Sequence, residues 1–524
     1  MRHALTSQDV ASGARRTGRS MGRRLAVRLR HPTLLIIVLA VTQLLLWGVL
    51  SARFNPTPTT DSLEQVLLSQ DLRLAYGKHP PLPTWILHGV NQLFGPSIGA
   101  TFVLGALCSV TTLLLLYAWA RPLIGAARAA VATMLASAIV FLNVATAYFN
   151  HNTVQLPLAL LTIVLFHRAL TRKQLVDWAL LGAASGLMML AKVSAVVLFA
   201  SFAVYLLWTR RLRDAPTRRG LVAAAFVFAA VMAPHLIAAH GDPDANRYAM
   251  QMVFPPEVDR IDRMKSVWNF ATSQLAKVAP ALLIFAFVRR RALKAAPATG
   301  DPIPLGPFVT IIGFGPLVLT LIVAVLVGAR LLAGWGTSFH VLLTLWLVAV
   351  SPYAIAAAPR VLLRAAIACI ALQAVLWSAV MANGGTLPSL RRNWHHTALP
   401  PPELAEVIQG AWTNRSVAPL RYVVSDIRTG ASLAVQFRAH PRVIDGNRPD
   451  FATILPHEVR AACGIVVVAG RPPVTDPHDL HYDPLDALLN AAAPLSITEL
   501  QAHDGSRRKY FIGVQAPAAG RTCG

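Results

Sequence analysis

Acidic residues are scarce in this sequence. Only 24 of its 524 residues are Asp or Glu, and all charged residues together make up 14%. A soluble globular protein has about 25% charged residues. A disordered chain is poor in hydrophobic residues, whereas 55% of this chain is hydrophobic. The composition therefore excludes both classes and indicates a membrane protein.

Cysteine is also rare, with four residues and neither a CxxC pair nor a zinc-type spacing. Cys108 and Cys369 fall within apolar runs, which is typical of packing residues. Cys463 and Cys523 lie near the C-terminus. An oxidising compartment would permit a disulfide between them, but the sequence leaves open whether their Cα atoms come close enough.

Basic residues, by contrast, are in surplus: 48 Lys and Arg give a formal net charge of +24 and a pI near 11.1. In a soluble protein this surplus would indicate nucleic-acid binding. In a membrane protein Lys and Arg collect in cytoplasmic loops and set the topology. The position of the basic residues along the chain decides between the two interpretations.

Eleven apolar runs have about the length of a transmembrane helix or somewhat less. They lie near 34–50, 98–118, 128–149, 153–169, 176–190, 193–208, 220–239, 273–288, 306–328, 332–350 and 361–381. The loops between them alternate between rich and poor in Lys and Arg, beginning with a basic tail over residues 1–33. The pattern predicts a multi-pass inner (plasma) membrane protein with about 11 spans over 34–381, a cytoplasmic N-terminus and no nucleic-acid partner.

The segment 382–524 changes character and, after an odd number of spans, is predicted to be extracytoplasmic. Strand-type runs occur at 422–426, 443–445, 465–469 and 510–514, with helix-type stretches near 429–438, 456–462 and 484–492. Alternating strands and helices predict a small α/β domain.

The first outer loop, residues 51–97, carries the densest polar motif. Thr60 or Asp61 is the expected N-cap of an amphipathic surface helix, and Asp61 and Glu64 share one face at a spacing of three. A Tyr76-Gly-Lys-His-Pro-Pro81 turn follows. Two interpretations stay open from composition: an interfacial helix with solvated charges, or a carboxylate base beside a phosphate-binding cation.

The sequence of this loop resembles the polyprenyl-phosphate-sugar-dependent glycosyltransferases of the GT-C fold, a group that contains protein O-mannosyltransferases and lipid A aminoarabinose transferases. The similarity runs from Asp61 to Trp85 and continues through Leu93-Phe-Gly-Pro-Ser97. It is looser over 150–157, 186–192 and 233–235. The motifs are an Asp-x-x-Glu-Gln start, a Tyr-Gly before Pro-Pro-Leu, and Leu-Phe-Gly-x-Ser.

The resemblance implies a GT-C-like membrane enzyme that moves a sugar from a polyprenyl-phosphate donor to an envelope glycolipid, glycan or protein, with inversion, on the extracytoplasmic face. Asp61 matches the family's base, with Glu64 as the nearest second acid. Lys78 and His79 match basic residues that bind the donor phosphate.

The sequence departs from the family at Ser62, where an acid is common, and at Asn152, where an Asp often stands. Asn is a poorer ligand than Asp for a hard divalent cation. A divalent cation therefore stays open as a cofactor, with Asp61 as its one candidate ligand. Asn152 and Tyr76 are cavity candidates.

Three further residues are candidates on the predicted outer side. Lys192 and Arg330 are cations that either bind the donor phosphate or anchor the chain at the interface. His235 ends an apolar run and is either a cavity residue or a packing residue.

The alternative functions are a transporter or flippase of lipid-linked saccharides and a membrane scaffold. Transporters often show internal repeats and polar residues within their spans. The apolar runs here carry almost no acids and show no repeat, which favours the enzyme.

Overall fold

The structure is a computed structural model that describes residues 31–55, 58–240, 251, 253–254, 258–288, 303–350, 359–385, 399–448, 451–479, 481–492, 494–502, 505–518 and 523. The predicted basic tail, residues 1–33, lies almost entirely outside the described residues.

The N-terminal two thirds of the described chain is helical. Its helices, in order, are α1 (Pro32–Phe54, with a π-helical stretch at Leu44–Leu50), α2 (Thr60–Leu68), α3 (Leu82–Phe94), α4 (Gly99–Ile124), α5 (Ala126–Ser137), α6 (His151–Arg172), α7 (Leu175–Ala191), α8 (Val196–Trp208), α9 (Ala215–His240), α10 (Arg260–Val288), α11 (Leu305–Val327), α12 (Leu343–Ala349) and α13 (Pro359–Ala382). Short 3₁₀ turns lie at Val140–Leu142, Val144–Ala147, Val193–Ala195, Arg211–Arg213 and Ala333–His340. Helices dominate because hydrocarbon offers no partner to an unpaired backbone group.

Seven helices of the described chain are long and apolar enough to cross a bilayer, namely α1, α4, α6, α9, α10, α11 and α13. An eighth span forms if α5 and the turns after it, which are bent by 92°, are counted as one. Helices α7 and α8 are apolar but shorter. The protein is therefore a polytopic membrane protein, while the count of eleven spans stays a prediction.

The predicted helix over 332–350 is wrong as a single element. The run divides into the 3₁₀ segment Ala333–His340 and helix α12. Gly336 explains the first part, since a Cβ there would lie 2.2 Å from Oε1 of Gln274 on α10. The backbone comes this close to α10 only because glycine has no side chain.

A neutral polar network joins α1, α4 and α13 inside the bundle. Its four side chains, Gln43, Trp47, Ser109 and Gln373, have no exposed surface. Gln373 Nε2 donates to Gln43 Oε1 at 2.9 Å, and Trp47 Nε1 donates to Gln373 Oε1 at 2.7 Å. Gln43 also donates to the Ser109 hydroxyl and to a backbone carbonyl. Such bonds hold helices together in lipid.

The C-terminal part is an α/β unit. Its elements are α14 (Glu403–Thr413), β1 (Tyr422–Ser425), α15 (Ile427–Gln436), β2 (Arg442–Asp445), α16 (Phe451–Ile454), α17 (His457–Cys463), β3 (Ile465–Ala469), α18 (Pro484–Ala491), β4 (Ser496–Gln501) and β5 (Arg507–Gln515). The strand order is β2-β1-β3-β5-β4. β1, β2 and β3 are parallel, and β5 runs antiparallel to β3 and β4.

The four predicted strands and three predicted helices of this unit are confirmed. Strand β4 and helices α14 and α16 were not predicted. Most side chains of β1 to β3 are buried, as expected for parallel strands covered by helices on both faces. Cys463 and Cys523 form a disulfide with their Cα atoms 4.6 Å apart.

The first loop packs directly against this sheet. Leu63, Val66 and Leu67 of α2 share one buried cluster with Trp412 and Val423 of the C-terminal unit. The α2 helix is thereby held between the helical bundle and the sheet. The loop and the sheet lie at the same end of the bundle.

Two polar contacts fix the register of this packing. The Gln70 amide exchanges two hydrogen bonds with the backbone of Val443 in β2, at 2.8 and 3.0 Å. The adjacent Asp71 forms a salt bridge with Arg442.

Candidate active site

The candidate site begins at the first turn of α2. The predicted N-cap is wrong by one or two residues: Thr59 caps the helix, and its Oγ1 accepts from Ser62 N. Thr59 takes this role because its backbone is extended (φ −74°, ψ 155°), as a cap requires. The Ser62 hydroxyl in turn accepts from the backbone N–H of Phe149 at 3.0 Å. Ser62 is fully buried, so a small neutral residue suits this position.

Asp61 points from this turn toward the start of α6. Its Oδ2 accepts from Asn150 Nδ2 at 2.9 Å. Asn150 is the N-cap of α6, where its Oδ1 accepts from the backbone of Asn152 and Thr153. Because the cap fixes the amide oxygen, the amide N–H₂ is oriented at the half-buried Asp61 carboxylate.

Lys192 approaches the same place from another part of the bundle. It lies where α7 ends and the 3₁₀ turn Val193–Ala195 begins. Its Nζ donates to Oδ1 of Asn152, two residues beyond the partner of Asp61. Burial lowers the pKa of Lys192 to about 7, and the charge of Asp61 acts in the opposite direction. The structure therefore brings together a carboxylate and an ammonium group that lie 131 residues apart in the sequence.

Glu64 and Lys78 form a second pair of opposite charges. Lys78 Nζ lies 2.9 Å and 3.1 Å from the two carboxylate oxygens of Glu64. The Lys78 side chain is 33% exposed and that of Glu64 is 14% exposed. Burial raises the pKa of Glu64, and the Lys78 charge acts in the opposite direction. Lys78 thus reaches solvent while Glu64 holds it in place.

His79 lies against His151, with ring centroids 4.1 Å apart. Burial, assisted by the charges of Lys78 and Lys192, lowers the pKa of His79 to about 3. The imidazole is therefore neutral at physiological pH. It contributes a neutral ring to the site, and its role in binding the donor phosphate stays a prediction.

The other sequence candidates lie at the edge of this cluster or beyond it. Tyr76 is buried, and its hydroxyl donates to Asp71 O and accepts from Arg73 N, so it shapes its own loop. His235 Nδ1 lies 2.8 Å from Leu74 O, which fastens the loop to α9.

Arg330 is held by its backbone, whose N–H donates to the carbonyl of Val253. Within the described residues, no contact joins the Arg330 side chain to the Asp61 cluster.

The donor set around Asp61 does not fit a divalent cation. Its neighbours are the Asn150 amide and the Lys192 ammonium, and an ammonium group repels a metal ion. Within the described residues, no group of three His, Cys, Asp or Glu side chains is arranged to hold one. A metal ion therefore has no part in the chemistry assigned to this cluster.

Two functional neighbours were missed in the sequence. Asn150 begins the loosely similar range 150–157, and Asn before an apolar run is an N-cap signal. Asp445 ends strand β2, and burial raises its pKa to about 6, with a smaller contribution from the charge of Glu64. An acid at the carboxyl end of a parallel strand is a signal that the sequence did contain.

Comparisons with known proteins give one family match and a clear match in fold. Residues 78–237 match the family described as dolichyl-phosphate-mannose-protein mannosyltransferase. The match includes Lys78, His79, Asn152 and Lys192 but begins after Asp61. No curated protein sequence is significantly similar to the chain.

Two solved structures of ArnT from Cupriavidus metallidurans are similar over nearly the whole chain. The apo structure has a TM-score of 0.60 and 15% identity, covering 92% of this chain and 98% of that one. The structure bound to undecaprenyl phosphate has a TM-score of 0.59 and 15% identity, covering 93% and 99%. The chain is therefore a polytopic membrane protein of the GT-C fold that ArnT shows, with a region that matches the mannosyltransferase family, as the first-loop resemblance predicted.

Proposed function

We propose that this protein is an inverting glycosyltransferase that moves a sugar from a polyprenyl-phosphate donor to a glycolipid, glycan or protein acceptor of the cell envelope. One observation carries the proposal. Asp61 and Lys192 are bonded to Asn150 and Asn152, the N-cap and a first-turn residue of α6. This arrangement brings a base and a cation to the start of one helix, and displacement of a phosphate by a hydroxyl requires both.

In the proposed reaction an acceptor hydroxyl or amine attacks the anomeric carbon of the donor sugar. The new bond joins the acceptor atom to that carbon, and the bond from the carbon to the phosphate oxygen breaks. Asp61 takes the acceptor proton, and the bonding electron pair leaves with the phosphate. Attack opposite to the leaving group inverts the anomeric centre.

The phosphate that leaves gains negative charge, so cations at its position lower the barrier. Lys192 and Lys78 are assigned this role. Lys192 is bonded to Asn152, two residues from the partner of Asp61. Lys78 is partly exposed and forms a salt bridge with Glu64. Glu64 acts through Lys78 and is a positioning residue. His79 contributes a neutral ring against His151.

The match to ArnT with bound undecaprenyl phosphate supports a lipid-phosphate donor. A polyprenyl chain in the bilayer places its phosphate at the membrane surface. The cluster fits this source because it lies where α2, α6 and α7 meet beside the sheet.

Three domains are proposed together with this function: the tail 1–33, the membrane region 34–381 and the extracytoplasmic unit 382–524.

The proposal is tested by mass spectrometry of envelope glycolipids and glycoproteins from a deletion strain. We expect one sugar modification to disappear, to return with the wild-type gene, and to stay absent with Asp61→Asn. Asp262→Asn serves as a matched control, since its side chain is 55% exposed on α10. An unchanged glycan profile in the deletion strain would overturn the proposal, as would full rescue by Asp61→Asn.

The proposed orientation has its own test. Protease added to cells with a permeable outer envelope should cut within 382–524 and leave the basic tail intact. Protection of the C-terminal unit under these conditions would overturn the orientation.

A further inference from the structure

The C-terminal sheet contains a topological switch point that the proposed reaction does not use. From β1 the chain passes to β2 on one side, and from β2 it crosses to β3 on the other side of β1. In open sheets with parallel strands, ligands bind in the crevice outside the carboxyl ends of the strands where the order reverses. Here that crevice lies between the ends of β1 and β3.

A cavity of about 190 Å³ lies at this position. Its lining includes Asp426 and Arg428 after β1, Gly470 and Arg471 after β3, Asn447 after β2, and Arg508 on β5. Its walls thus come from four strands of one sheet. Three of the lining residues are arginines.

Specific contacts hold two of the charged side chains that line the cavity. Arg471 is paired with Asp483 at 2.7 Å and with Asp486 at 2.8 Å. The Asp426 carboxylate accepts from the backbone N–H groups of Arg428 and Thr429 and so caps α15. These contacts make the wall rigid.

Arg428 and Arg508 bring two like charges to the same small space. Burial lowers the pKa of Arg428; Asp426 acts in the opposite direction, and the nearby charge of Arg508 lowers it further. Two guanidinium groups converging on one cavity match the geometry of a phosphate or carboxylate. The carboxylates and the Asn447 amide on the same wall suit sugar hydroxyls.

The turn that follows β2 lies between this cavity and the first loop. Asn447 lines the cavity, while the adjacent Arg448 and the nearby Asp445 line a smaller crevice together with Tyr76 and Arg73 of the first loop. The turn after β2 therefore connects the cavity with the loop that carries Asp61.

We propose that this cavity binds a saccharide that carries a phosphate or carboxylate group, with Arg428 and Arg508 as its anion ligands. Its assignment to the acceptor of the transfer rests on the proposed function. An acceptor held here by an anionic sugar would present its other residues toward the first loop. The cavity is then a specificity-determining site remote from the bond that is made.

The binding test uses the full chain in lipid nanodiscs and glucose 1-phosphate as probe. We expect saturable binding, and weaker binding by about tenfold or more for Arg428→Gln and for Arg508→Gln, because a lost charged hydrogen bond costs roughly 1.5–3 kcal/mol. Arg507→Gln is the matched control: it removes the same charge from the adjacent, exposed position of β5 and should bind as wild type.

Glucose and inorganic phosphate are the other two arms of the test, and each should bind at least tenfold more weakly than glucose 1-phosphate. Equal binding of glucose would overturn the anion site, and equal binding of inorganic phosphate would overturn the saccharide site. Wild-type affinity in both arginine variants would overturn the assignment of the ligands.

A second readout separates this proposal from the proposed function. Glucose 1-phosphate resembles the head group of the proposed donor, so the readout is the loss of its binding in Arg428→Gln. This loss should be the same when Arg428→Gln is combined with Asp61→Asn or with Lys192→Gln. If transfer is found, Arg428→Gln should raise the KM for the acceptor and leave both kcat and the KM for the donor unchanged. A fall in kcat alone would assign Arg428 a role other than acceptor binding and overturn the proposal.

Discussion

Two polar clusters of this protein differ in charge and in how deeply they are buried. The network of Gln43, Trp47, Ser109 and Gln373 is neutral, closed and without exposed surface. The cluster around Asp61 and Lys192 contains charges and is only half-buried. Neutral amides bonded to one another stabilise helix packing in lipid. Charged groups removed from water inside a membrane protein are costly and mark functional sites, which is why the second cluster is the candidate site.

The sharpest way to break this comparison is Asp61→Asn. The variant keeps the shape of the side chain and removes the base, so we expect kcat to fall by about 10²–10⁴-fold. The temperature of unfolding should stay within a few degrees of wild type. Activity is measured by single-turnover transfer in nanodiscs, and wild-type kcat in this variant would remove Asp61 from the mechanism.

Lys192→Gln should have the next largest effect. The amide can still bond to Asn152 but carries no charge, so stabilisation of the leaving phosphate is lost. We expect kcat to fall by about 10²-fold. Lys265→Gln is the control, because that lysine side chain is 68% exposed on α10 and its loss should change nothing. An equal fall in kcat in Lys192→Gln and Lys265→Gln would show that the loss of any positive charge has this effect, which would contradict the role of Lys192.

The neutral network should respond in the opposite way. Gln373→Leu removes the partners of Gln43 and Trp47, which should lower the free energy of unfolding by about 1–2 kcal/mol. The kcat should stay within about twofold of wild type. Thermal unfolding and transfer are measured on the same preparation. A large loss of kcat without a change in stability would contradict the structural role.

An effect on stability of similar size but opposite sign is expected at Asp445, a charge outside both clusters. Its pKa of about 6 exceeds the ordinary value, so the folded protein binds its proton more tightly than the unfolded chain. Stability therefore falls as pH rises from about 4 through 6. Asp445→Asn should be more stable than wild type by about 1–3 kcal/mol at pH 7.5 and equal to it at pH 4. A pH-independent difference would contradict this cause.

The sequence was most informative where one segment carries the signal. The apolar runs and the strands of the C-terminal unit could be predicted because their periodicity is local. Asp61, Lys78 and Lys192 were predicted from motif and charge. The pairing of Asp61 with Asn150, and of Lys192 with Asn152, could not be predicted because it depends on how α2, α6 and α7 pack. The neutral state of His79 could not be predicted for the same reason, since the burial that lowers its pKa is a tertiary effect.

The bonds between Gln70 and Val443 also matter for how the chain is assembled. β2 is an edge strand, and unpaired edges attract other chains. In this protein the edge is partly covered by a side chain that is synthesised more than 370 residues earlier. The first loop is therefore already present when the C-terminal unit emerges. A fragment that contains only the C-terminal unit would lack this cover, and we expect it to self-associate through β2.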